Sequence, residues 1–91
     1  MNKVEKIEVL TVGAKAQTVR VNGLPCLIQN NSPATEVFFK ERRDDGVDAG
    51  ADNGWRLGPG ETTVCPMVLR ELSVAAGGAD ADVRVLILDE V

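Results

Sequence analysis

Asp44, Asp48 and Asp52 recur every four residues within ERRDDGVDAGADNGWRLGPGE, residues 41–61, with Asp45 and Asn53 beside them. Oxygen ligands at this density suggest two chemistries. A hard cation such as calcium takes roughly six to eight oxygens, several of which this stretch supplies. Paired carboxylates, alternatively, hydrolyse glycosidic bonds. Neither reading finds its complement. Acids four apart do not match the alternate-residue spacing of an EF-hand loop. The GGADAD of residues 77–82 is one copy of a glycine–aspartate unit that binds calcium only in tandem arrays.

The rest of the chain offers such a site little help. There is no histidine and no tyrosine, so the commonest general base and a second proton carrier are missing. The two serines, Ser32 and Ser73, lie in a turn and in strand-like sequence rather than at a nucleophile elbow. Cys26 and Cys65 have no activating histidine and form no CxxC pair to hold zinc. Each sits in an apolar stretch, LPCLIQ and TTVCPMV, where a small thiol packs as a hydrophobe. A bridge between adjacent strands is the alternative. The chain therefore reads as a non-enzyme without cofactor or metal.

The aspartate stretch then becomes a long solvated loop, residues 42–54, rich in turn-forming Asp, Asn and Gly. It has no apparent anchor between Val47 and Trp55, so it is expected to move in the isolated protein and to order against a neighbour. Trp55 has two readings. It lids the open end of the core, or it anchors a contact, as Trp does at interface hot spots and sugar-stacking faces.

The elements that must hold these groups read as strands. KIEVLTV (6–12) sets Ile7, Val9 and Thr11 against Glu8 and Leu10, a half-buried strand. QTVRV (17–21) puts Val19 and Val21 on one face, and Asn22-Gly23 signals a two-residue hairpin. LPCLIQN (24–30) carries Leu24, Cys26 and Ile28 on one face, with Pro25 suited to an edge or a strand start. TEVFFKE (35–41) directs Val37 and Phe39 inward and leaves Phe38 for a second layer or an interface. WRL (55–57), ETTVCPMVL (61–69), RELSVAA (70–76) and DVRVLILDE (82–90) complete the set. Only MVLRELSVAA (67–76) has helical spacing, for a turn or two. The expected fold is all-β: a small antiparallel sandwich or barrel of about seven to eight short strands with little or no helix.

Ninety-one residues give one domain, 1–91, and with only 3% aromatics its core is built from Val, Leu, Ile and Ala. So thin a core gains from oligomerising or from docking on a larger body. The net charge of −4 disfavours nucleic acid. No apolar run reaches the length of a membrane span, and the N-terminus lacks a signal-peptide layout, so cytoplasmic synthesis is the default.

From VNGLPCLIQNNSPATEVFFKE through NGWRLGPGE to VRVLIL, residues 20–90, the order of elements is similar to that of small β-sandwich proteins of tailed bacteriophage structural gene clusters. The residues that carry the resemblance are Asn30, Ser32, Gly54, Leu57, Pro59, Gly60 and Glu61, then Gly77 and Gly78. CPMVLRELSV departs from that pattern, which has an aromatic-containing strand there. The resemblance implies a virion structural protein made in the bacterial host cytoplasm. Within that class it implies a capsid decoration (cement) protein, a homotrimer on the major capsid protein, binding neither nucleic acid nor membrane. A sugar- or protein-binding module of a tail or adhesin is the alternative, and the lack of an aromatic pair for stacking weighs against sugar. The interface candidates are Phe38, Trp55, Arg42, Arg43, Asp48, Leu86 and Leu88, and the strand 3–12 is a candidate for pairing with a neighbouring sheet edge.

Overall fold

The computed structural model describes residues 2–65 and 69–90. Among them the elements are all strands: β1 (Asn2–Val12), β2 (Gln17–Arg20), β3 (Cys26–Asn30), β4 (Val37–Glu41), β5 (Trp55–Leu57), β6 (Thr62–Val64), β7 (Glu71–Ala76) and β8 (Ala81–Glu90). They form two antiparallel sheets, β1-β8-β3-β6 (sheet A) and β2-β7-β4-β5 (sheet B). β1 pairs with β8, β2 with β7, β3 with β6 and β4 with β5, and successive pairs alternate between the sheets. The chain is a long hairpin ribbon rolled on itself, the eight-stranded jelly-roll form of the β-sandwich.

Alternation along the strands builds the core. Cys26 and Ile28 of β3, with Val83, Val85 and Ile87 of β8, meet Val37 and Phe39 of β4 and Leu72, Val74 and Ala76 of β7. The shortest dimension of the molecule is 18 Å, as two sheets stacked about 10 Å apart require. Only one layer of interdigitated side chains fits between them. Glu71–Ala76 is a strand, not a helical turn; residues 67 and 68 of the helical alternative lie outside the described residues.

Two local expectations change. Asn22 and Gly23 do have positive φ, 51° and 78°, but they join strands of different sheets rather than a hairpin. The amides of Asn22 and Gly23 donate to the carbonyls of Arg70 and Leu69, which ties this crossover to the segment leading into β7. In β1 the buried face belongs to Leu10 and Val12, whereas Ile7 and Val9 are 56% and 62% exposed. Both faces of this strand are partly apolar, so alternation alone left the choice open. Pairing with β8 settles it, because Ile7 is opposite the outward Leu86 and Leu10 is opposite the core residue Val83.

Candidate interaction surfaces

The aspartate loop is not loose. It folds back over the outer face of sheet B, where Phe38, Ser73 and Ala75 point away from the core. The buried Ser73 hydroxyl accepts the Ala49 amide at 2.8 Å, and Ala49 is itself buried. The Lys40 ammonium donates to the Val47 carbonyl at 3.0 Å. Asn53 closes a small ring, accepting from the Gly50 amide and donating to the Asp48 carbonyl. Gly54 passes so close that a Cβ there would lie 3.0 Å from the Phe38 Cβ and 3.0 Å from the Gly50 carbonyl oxygen. Phe38 is consequently only 7% exposed: of its two expected places it takes the second layer, beneath the chain's own loop, and its expected role as an interface contact is corrected.

Two of the loop acids are occupied separately. Asp48 pairs with Arg42 at 3.2 Å, and the Asp45 carboxylate accepts the Val47 amide at 3.0 Å. Among the described residues no three His, Cys, Asp or Glu side chains converge as a metal site. Arg42 also faces Glu71 at 3.8 Å, and Arg43 pairs with Glu41 at 3.0 Å. Arg42, Arg43, Asp44, Arg70 and Glu71 line a polar hollow of about 310 Å³ at this end of sheet B.

Several residues of the WRLGPGE and NNS stretches meet at one buried side chain, Asn30, which is 0% exposed. Its amide nitrogen donates to the Thr35 carbonyl at 2.7 Å and to the Leu57 carbonyl at 3.1 Å, and its side-chain oxygen accepts the Ser32 amide at 3.2 Å. Its backbone carbonyl accepts Gly60, and its backbone amide donates to Glu61. Ser32 then receives the Asp82 amide at 2.9 Å. Asn31, next in sequence, donates to the Asp82 carboxylate; this bond, with help from Arg84, holds that carboxyl below its ordinary range. Both serines thus serve as hydrogen-bond junctions.

Trp55 is 56% exposed, so the reading of it as a lid over the core is corrected. It lies on β5, the outer strand of sheet B, which among the described residues pairs with β4 alone. Next to it Arg56 pairs with Glu36, and both line a cavity of about 550 Å³ with Thr35, Pro59, Gly77 and Gly78.

The outer face of sheet A has no such cover among the described residues. One row of directly opposed residues crosses all four strands: Ile7, Leu86, Leu27 and Val64. The two ends are 56% and 63% exposed, and the middle pair is half-buried. The neighbouring row, Val9, Arg84, Gln29 and Thr62, is mostly polar. Leu88 continues the apolar surface along β8 and is half-buried. Leu86 and Leu88 were legible in sequence; Ile7, Leu27 and Val64 were missed. Their signal is the parity of Arg84, which marks the solvent side of β8 and therefore of every residue in register with it.

Comparison with known families, characterised proteins and solved structures finds no match to this chain. The interaction surfaces must be read from their own geometry.

Proposed function

We propose that this protein is a non-enzymatic structural component of a tailed-phage particle, a capsid decoration protein that binds the major capsid lattice as a homotrimer. The observation that carries this reading is the apolar row Ile7–Leu86–Leu27–Val64, spanning a whole sheet face that no described segment of the chain covers. A contiguous apolar patch rimmed by polar residues is the anatomy of a protein contact. The jelly roll supports the reading by analogy only, since viral capsid domains and lectins share it. In this reading the outer face of sheet A meets a symmetry copy. Trp55 is a second contact between copies, and the Arg42–Arg43 end of sheet B faces the shell.

The test is sedimentation of the purified chain, alone and with empty shells of the major capsid protein from the same genome. The expected result is a trimer that pellets with the shells, and an Ile7→Lys/Val64→Lys double variant that folds but stays monomeric. A wild-type monomer that ignores the shells refutes it. Exposed Trp55, close in sequence to the Glu36–Arg56 cavity, favours one second reading, a sugar- or protein-binding module. That reading predicts a ligand-dependent change in Trp55 fluorescence.

A further inference from the structure

The two cysteines, 39 positions apart in the chain, face each other. Leu27 is opposite Val64 in the β3–β6 register, so one step further along places Cys26 opposite Cys65. The Cys65 amide donates to the Cys26 carbonyl at 2.9 Å, which fixes that step. Cys26 is 1% exposed within the core, and Cys65 packs against the same core from a half-buried position. The two side chains therefore share the inner face of sheet A, and the Cys26 thiol is hydrogen-bonded to Cys65. Directly opposed residues of an antiparallel pair have Cα atoms about 4.5–5.5 Å apart, inside the span of about 4.4–6.8 Å that a disulfide bridges.

We propose that Cys26 and Cys65 are a redox pair, thiols in a reducing compartment and a cross-strand disulfide in an oxidising one, whose closure locks β6 onto β3. The site for such a lock is mechanically weak. β6 is three residues long, lies at the edge of sheet A and holds on through three register pairs to β3. Val64, one end of the exposed apolar row, sits on it.

The oxidant is a low-molecular-weight disulfide, RSSR. The Cys65 thiolate attacks one of its sulfurs, forming Cys65–S–S–R and releasing RS⁻. The Cys26 sulfur, giving up its proton to solvent base, attacks the Cys65 sulfur, and the second RS⁻ leaves. Two protein thiols are oxidised, and one RSSR is reduced to two RSH that take up the two protons. The order follows from environment. Burial first, then the charge and hydrogen bond of Cys65, push the Cys26 thiol up to about 12, so the half-buried Cys65 is the sulfur that meets the oxidant.

The bridge is tested on the isolated chain and stands separately from the capsid reading. Reduced protein is incubated with oxidised glutathione, digested without reductant and mapped by mass spectrometry, and its thermal unfolding is followed before and after. The expected result is one intramolecular Cys26–Cys65 linkage per chain and a Tm higher by about 10 °C or more, because the bridge closes a long loop in the unfolded chain. Dithiothreitol reverses the shift, and Cys65→Ser, which leaves the buried Cys26 in place, abolishes it. Glutathione retained on Cys65, linkage between chains, or two intact thiols overturns the proposal. So does a bridge that leaves Tm unchanged or lower.

Discussion

Asn30→Ala isolates what a single buried amide contributes to this fold. The side chain holds three segments at once: the turn to Thr35, the end of β5 at Leu57, and Ser32. Truncation removes a donor from two carbonyls and an acceptor from one amide. Each buried polar group left without its partner costs about 1–3 kcal/mol. The Thr35 bond is only part-buried, so water recovers some of its share. The sum is about 3–5 kcal/mol, against a total of about 5–14 kcal/mol for a domain of this size. With a urea slope of about 1.5 kcal/mol per molar, the unfolding midpoint falls by roughly 2–3 M. Asn31→Ala is the internal control, since Asn31 is exposed and makes one side-chain bond, to Asp82 at 3.0 Å. It should stay within about 0.5 kcal/mol of wild type. Equal losses from the two asparagines, or an Asn30→Ala protein within about 1 kcal/mol of wild type, would refute the assignment of Asn30 as the junction.

Three further outcomes follow from the same geometry. Phe38→Ala should cost about 3 kcal/mol and, in limited proteolysis, open the 42–54 loop to cleavage that wild type resists. Gly54→Ala should destabilise by about 1–3 kcal/mol in thermal unfolding, since the added methyl meets the Phe38 Cβ and the Gly50 carbonyl at 3.0 Å. Asp82 is held below its ordinary value near 3.8 by Asn31 and Arg84. Its contribution is complete above that value and fades as pH falls through the lower folded value, so Asp82→Asn should flatten the acid limb of a stability–pH curve below about pH 4.

The strand pattern was readable because β-branched alternation and turn residues are local signals. Val19, Val21, Cys26, Ile28, Val37 and Phe39 all fall inward as their spacing implies. Two things lay beyond local reading. The face of β1 depended on its register with β8, some seventy positions away in the chain. The fate of the 42–54 loop depended on Ser73, a residue that reads as an ordinary strand position until the loop amide of Ala49 arrives on it. Asn30 shows the opposite case. It was singled out as a motif residue, and its burial gives the physical reason: the NNS turn, the end of β5 and the Gly-Pro-Gly turn close on the same side chain and its backbone.

The two outer faces are therefore unequal. The loop covers sheet B and leaves sheet A open, but the open face is small. Strands of eleven, ten, five and three residues, at about 3.4 Å per residue and 4.8 Å between strands, give on the order of 470 Å². A stable interface takes about 800 Å² from each partner. Sheet A alone should thus give only weak self-association, and a stable trimer requires each subunit to use a second patch. Closed rings of three supply this geometry, because each subunit presents two different surfaces to its two neighbours. Trp55, exposed on the far edge of sheet B, is the strongest remaining anchor. If the trimer uses both patches, Trp55→Ala and Val64→Lys should each dissolve it in sedimentation at micromolar concentration, with no further loss on combination. A trimer that survives Trp55→Ala but not Val64→Lys would remove Trp55 from the ring and leave it facing the shell.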